Sequence, residues 1–338
     1  MNVSPDFPRF SVVVNNYNYG SYLEEALDSA LNQLGQLDEL IVVDDGSTDR
    51  SLLILKEYER NRDLLLIEQR NKGQMKAVRA GIAAARGDVV VLLDSDDYFL
   101  SGYLANLRKI YRRNEDVSFV FTKPDIAGKD SARAVEMREI LDRMAFPRGT
   151  VGPTKWAALL FHEFVGVPTS GLSLRRSLAD KIMSLPESID NTVRLGPVAK
   201  HIFRIPQQEA NRHGFSADGV IVRCASALGA TKFYNDYPGF MYRIHGLNKY
   251  AAAPRWGRWY LRSNEKRLLR DVQRHFSIES RPTASELRDE MKNRSWAKQW
   301  RRKTRIRLEY CLAALRARGS IMEKLLAMGT AAGVDHSR

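Results

Sequence analysis

The chain has 338 residues, 44% hydrophobic and 9% aromatic, enough for a real core and too apolar for wholesale disorder. Two cysteines, Cys224 and Cys311, exclude a disulfide framework, and no run of about 18 apolar residues predicts a membrane-crossing helix. The net charge of +13 is lopsided: residues 255–338 hold 21 Lys+Arg against 9 Asp+Glu, which leaves only +1 for residues 1–254. The first residues, MNVSPDFPRFSVVV, lack the basic segment and long apolar run of a signal peptide, so a reducing, cytoplasmic setting is expected.

Phe10 to Val14 predicts a strand that ends in NNYNYG. Ser21, with Glu24 three residues later, forms a capping-box pattern and predicts a helix to about Asn32. Leu40 to Val43 is a second strand, stopped by DDGSTD, after which Thr48 or Asp49 can cap a helix carrying Leu52, Leu55 and Tyr58. Leu64 to Ile67 is a third strand. Gly73 then opens an Ala-rich helix to about Ala85, and Val89 to Leu93 is a fourth strand running into Asp94, Asp96 and Asp97. Ser101 can cap a helix towards Arg113, and Val117 to Phe121 is a further strand. Short apolar strands separated by helices predict an α/β fold with a mostly parallel sheet covered on both faces. Residues from about 125 to 165 read as a charged excursion, residues 215–228 as a helix with Asp218 near its start, and residues after Pro254 as long basic helices.

The first, second and fourth strands all end in polar clusters, NNYN, DDGSTD and DSDD. In open α/β sheets, ligands bind beyond the carboxyl ends of strands, so these clusters are expected to converge on one site. Asp94 and Asp96, two carboxylates at alternate positions, repel one another unless a cation or proton intervenes, and hard oxygen ligands suit Mg²⁺ or Mn²⁺. The same residues also suit a helix cap and solvated loop. DDGSTD is equally a turn or a carboxylate facing a nucleobase or ribose; Asn15, Asn16 and Tyr17 are equally local packing or base contacts.

Taken together, these residues resemble the nucleotide-sugar-dependent glycosyltransferases of family 2, with their GT-A fold. The segments that carry the resemblance are SVVVNNYNYGSYLEEALDSALNQ (11–33), ELIVVDDGSTDRS (39–51), NKGQMKAVRAGIAAARGDVVVLLDSDD (71–97), PTSGLSLRRSLADKI (168–182), FSADGVIVRCASALG (215–229) and GFMYRIHGLN (239–248). The resemblance implies a GT-A, Rossmann-like sheet flanked by helices, followed by a basic α-helical C-terminal region. It implies a nucleotide-sugar-binding half at 1–125, an acceptor-binding and catalytic-base half at 126–254, and a separate region at 255–338. Asn15, Tyr17, Asp45 and Asp94 would then serve the nucleotide, with Asp96, Asp94 and His245 on Mn²⁺ or Mg²⁺. Thr169, Ser170 and Gly171 would form a loop near the donor sugar or acceptor. Asp218 matches the general base of an inverting reaction, with Glu209 in reserve; Asp97 falls outside the DxD triplet and suits a helix cap. His245 reads without the resemblance as a structural histidine, and Asp218 as a carboxylate at a helix N-terminus. One departure stands out: where many relatives carry Arg, this chain has Val78, with Arg79 one residue on.

The implied reaction moves a sugar from a nucleotide sugar, a UDP-sugar first among them, to a glycan or lipid-linked acceptor. The alternatives are a nucleotidyltransferase-like α/β enzyme and a catalytically silent nucleotide-sugar or polyanion-binding module. In the tail, Trp296 and Trp300 lie four apart among arginines, and Leu308, Cys311, Leu312 and Leu315 share one helical face. That pattern fits helices packed on the catalytic domain. It also fits peripheral attachment to an anionic membrane surface or a phosphate-bearing acceptor. Nucleic acid is a lesser partner, because no known binding motif is present.

Overall fold

The computed structural model describes residues 7–127, 134–135, 138–139, 148–189, 216–245, 255–292 and 304–332, with backbone alone at 255–263 and 304–306. Glu209, Trp296 and Trp300 lie outside the described residues. β1 (Phe10–Asn16), β2 (Glu39–Asp44), β3 (Leu65–Glu68) and β4 (Val89–Asp94) pair in parallel in the order β3-β2-β1-β4. Helices Leu23–Leu31, Ser51–Asn61 and Gln74–Ala84 make the crossovers. Because neighbouring strand residues point to opposite faces, the apolar runs feed two cores at once. Val12, Val14, Leu40, Val42, Val91 and Leu93 pack beside Leu23, Leu27 and Leu107. Val13, Ile41, Val43, Val90 and Leu92 pack on the other side, beside Met75, Val78 and Ile82.

Beyond β4 the sheet turns mixed. β5 (Tyr98–Phe99), β6 (Phe119–Ala127), β7 (Gly149–Gly152), β8 (Leu172–Arg175) and β9 (Lys232–Arg243) complete a nine-stranded sheet among the described residues. β8 runs antiparallel to β4 and β6, and β9 runs parallel to β6 but antiparallel to β5 and β7. One sheet therefore carries both halves, and β6 passes through residue 125. The long β9 was not expected, because its centre, Asn235 to Gly239, is turn-like in composition. Asp236, Tyr237 and Pro238 stand exposed there, and the ladder with β6 shifts register between Thr122 and Pro124.

Two helix starts differ from expectation. The Ser21 hydroxyl does not cap the first helix. The carbonyl of Tyr19 accepts the amides of Tyr22 and Leu23, at 2.9 and 3.1 Å, and winds the chain into Leu23–Leu31. Ser101 gives way to Gly102, whose φ of 79° turns the chain into helix Tyr103–Arg113. Asp49 does accept the Ser51 amide, at 2.9 Å, as the second helix begins.

The C-terminal region packs on the α/β domain. Helix Arg255–His275 lends Leu268, Leu269 and Val272 to the second core, and Glu265 pairs with Arg223 at 2.8 Å. Helices Ala284–Lys292, Thr304–Arg316 and Ile321–Ala332 gather around Trp156. The buried Glu290 carboxylate binds them to the domain: it accepts the Trp156 and Ala157 amides at the start of helix Lys155–Phe161, and the Tyr310 hydroxyl. Both cysteines are free.

Candidate active site

Register explains why the polar clusters meet. Asn15 pairs with Asp94 across β1 and β4, and Asn16 pairs with Asp44 across β1 and β2, so three strands release their chains at one edge. β1 also lies where the strand order reverses, which leaves a crevice between β1 and β4. The side chains follow the register: Asn15 donates to Asp94 at 2.6 Å, and Asn16 donates to Asp44 at 2.8 Å while accepting the Ser95 hydroxyl.

Asp94, Asp96 and Asp97 can each offer one carboxylate oxygen within a 4.8 Å span. Two of these acids, Asp94 and Asp97, have their proton affinity raised by burial and by their neighbours. Burial, then the charges of Asp96 and Asp218, push Asp94 up to about 7, although its surface keeps some solvent access. Burial first, then Asp96 and Asp94, holds Asp97 well above the usual carboxylate range. Burial and the same acids also raise the Tyr19 phenol. Such crowding of carboxylates is relieved by a bound cation or by protons.

Asp97 does not cap a helix. Its two oxygens take the Ser170 hydroxyl at 2.6 Å and the Arg243 amide at 2.9 Å, and it is 1% exposed. The next helix begins six residues later, so capping is geometrically out of reach, and Asp97 instead ties the acid cluster to β8 and β9. Ser170 also receives the Asp94 amide at 3.1 Å. Thr169–Gly171 is a buried 3-10 turn rather than an open loop. A Cβ on Gly171 would stand 2.6 Å from Phe240, so glycine is required there for packing.

His245 joins the cluster from the far end of β9, with Nε2 2.9 Å from Asp96. Its ring stacks on Tyr22 and meets Tyr19 edge-on. Arg243 lies over Tyr22 and Tyr98 and pairs with Glu25, which fixes the end of β9 to the first helix. The oxygens of Asp94, Asp96 and Asp97 and the imidazole of His245 fit a hard divalent ion such as Mg²⁺ or Mn²⁺.

Asp45 is buried, and its two oxygens accept Gln69 Nε2 and the amides of Lys72 and Gly73, at 2.6 to 2.8 Å. It therefore holds the turn before helix Gln74–Ala84, where Gly73 adopts a φ of 91° that side-chain-bearing residues avoid. Tyr17 stands 44% exposed at the rim. Val78 is buried in the core, and Arg79 donates to the Met183 carbonyl, so the departure at this helix is structural.

Asp218 lies in the first turn of helix Ala217–Ala227 and accepts the Ser216 hydroxyl. Gln74 was not singled out from sequence, yet it links this helix to the acids. Its Nε2 donates to Asp94 at 2.8 Å, and its Oε1 accepts the Ala217 amide at 3.1 Å. A polar residue at a helix start carries no periodic signal, so only its placement after Gly73 could have raised interest. Tyr19, Tyr22 and Arg243 were likewise hidden, because their neighbours come from distant segments.

The profile described as Glycosyl transferase family 2 matches residues 11–179. An uncharacterized glycosyltransferase of Nostoc sp. is 30% identical over 253 residues, 72% of this chain and 67% of the relative. The chain belongs to glycosyltransferase family 2. Among solved structures, S. aureus TarS in complex with UDP-GlcNAc is similar at TM-score 0.51 and 17% identity, covering 98% of this chain and 93% of that one. The mannosyltransferase PcManGT of Pyrobaculum calidifontis, solved with GDP-Man and Mn²⁺, is similar at TM-score 0.50 and 18% identity, covering 99% and 84%. These likenesses establish the GT-A fold of this glycosyltransferase.

Proposed function

We propose that this glycosyltransferase is metal-dependent and inverting, and that it moves a sugar from a UDP-sugar to a glycan or lipid-linked acceptor. The observation that carries the reading is the acid cluster at the end of β4, bridged by Gln74 to the helix that begins with Asp218. Asp94, Asp96 and His245 would hold Mn²⁺ or Mg²⁺, which would neutralise charge on the leaving diphosphate. Asn15 keeps Asp94 oriented, and Tyr17 offers an exposed ring on which a base can stack. Asp45 acts on the nucleotide pocket through the 69–73 turn that it holds. Asp218, whose charge is felt at Asp94, would take the proton of the acceptor hydroxyl. The catalytically silent alternative fits poorly with a carboxylate on the helix that Gln74 ties to the cluster.

The proposed division of labour gives residues 1–125 the donor, 126–254 the acceptor and base, and 255–338 a separate surface. UDP is the first nucleotide to test, in keeping with the TarS complex, and the PcManGT complex makes GDP its rival. The test is turnover of a panel of UDP- and GDP-sugars with and without Mn²⁺, comparing wild type with Asp96→Ala. Metal-stimulated turnover should fall on the order of a hundredfold or more in the variant. Turnover that ignores both the metal and Asp96 would refute the metal role.

A further inference from the structure

The last two helices are packed inside out. Tyr310 and Ala314 of Thr304–Arg316, Ala317 just after it, and Ala327 and Ala331 of Ile321–Ala332 form the buried seam. The large apolar residues face outward: Leu308, Leu312 and Leu315 on one helix, Ile321, Met322 and Leu325 on the other. These are half of the twelve large hydrophobic residues exposed among the described residues, confined to 18 consecutive positions. Leu308, Leu312 and Leu315 recur at helical spacing and make one stripe, as do Ile321 and Leu325. The two helices that carry these residues touch, with the Cys311 thiol 3.7 Å from the Met328 carbonyl. Exposed apolar stripes on two touching helices mark an interaction site.

Charge selects the occupant. Residues 304–332 carry five basic groups, Arg305, Arg307, Arg316, Arg318 and Lys324, against Glu309 and Glu323, and Arg318 is paired with Glu279. Glu323 is turned back on the Ser320 amide at 2.7 Å, in a capping box that also receives the Ser320 hydroxyl. The whole region from residue 255 carries a surplus of +12. Face-to-face pairing of two copies would bring like charge against like, whereas an anionic lipid surface offers hydrocarbon to the leucines and phosphate to the rim. We propose that the outward face of Thr304–Arg316 and Ile321–Ala332 docks on an anionic membrane surface. The site holds the enzyme peripherally, where a lipid-linked acceptor is presented; its docking does not depend on the sugar-transfer reading.

The test is flotation of the full chain with phosphatidylcholine vesicles, with and without about a third of phosphatidylglycerol. Wild type should float with the anionic vesicles, and the variant carrying Leu312→Glu, Leu315→Glu and Leu325→Glu should lose at least about tenfold in partition. Circular dichroism and a thermal melt check that the variant is folded. As a second measurement, a fluorophore attached at Leu315→Cys in a Cys311→Ala background should shift to the blue on anionic vesicles alone. Equal flotation on uncharged vesicles, unchanged flotation of the triple variant, or a silent fluorophore would overturn the proposal. So would a wild-type dimer that the triple variant dissolves without any lipid binding.

Discussion

The parallel half of the sheet and the C-terminal helical pair use the same residue type in opposite ways. In β4, Leu92 and Leu93 are at most 1% exposed, each lying under a layer of helices. In the last two helices, Leu308, Leu312, Leu315 and Leu325 are 44–59% exposed, while alanines and one tyrosine fill the seam. Periodicity says which residues share a face. Whether that face is inward depends on what the rest of the chain brings to it. A strand between two helical layers has no outward face to spend, whereas a helix at the margin has a choice.

The largest test of the contrast places one substitution in each region. Leu93→Ala should cost about 2–5 kcal/mol, because it deletes side-chain volume from a closed core. Leu315→Ala should stay within about 0.5 kcal/mol, because its side chain is already half in water. Urea unfolding of both variants reads the difference directly. Comparable losses would mean that the outward face is covered within the folded chain.

Lys232 is the converse case, a charge where the pattern calls for core. Its ammonium donates to the Val165 carbonyl at 2.8 Å and to Ser226 at 2.6 Å, and burial lowers its pKa from 10.5 to about 7. Between those values the unfolded chain holds a proton that the folded chain has released. The contribution of Lys232 to stability therefore rises with pH across that window and is at its least favourable below about 7. The stability of wild type relative to Lys232→Met should climb by about 1 kcal/mol per pH unit from pH 7.5 to 9.5. Denaturation midpoints that run parallel across this range would remove Lys232 from the balance.

The legible parts of the molecule were those where one local pattern meets one environment. β1, β2 and β4 could be read because every residue in their apolar runs is buried on one face or the other, and the helix after Gly73 because Met75, Ala77, Val78, Gly81 and Ile82 are buried together. The meeting of Asn15 with Asp94 and of Asn16 with Asp44 followed from parallel strands ending at one edge. Asp97 was misjudged, because its partners, Ser170 and the Arg243 amide, lie 73 and 146 residues away. β9 was missed for a related reason: its exposed centre looks like a turn, and its strand character comes from the β6 ladder. The exposed leucine stripe was recognised as a stripe, but no spacing tells on which side the domain will sit.

Gln74 ties the acids at the end of β4 to the helix that carries Asp218. Its amide side chain spans from Asp94 to the amide of Ala217, beside Asp218. Replacing it with leucine removes both bonds while keeping similar bulk, so Asp94 loses one of its two side-chain amide donors and the Asp218 helix loses its tie. Gln74→Leu should lower kcat about tenfold, or about 1.4 kcal/mol in the barrier, with little change in melting temperature, as expected of a group that positions others. Gln74→Glu should be worse, because a fourth carboxylate beside Asp94 adds repulsion where the amide relieved it. A merely structural role would show in the melt and leave the ratio of kcat to KM intact. If both variants turn over donor as wild type does, the Asp218 helix is aligned by the sheet alone and Gln74 is only a bystander to the acids.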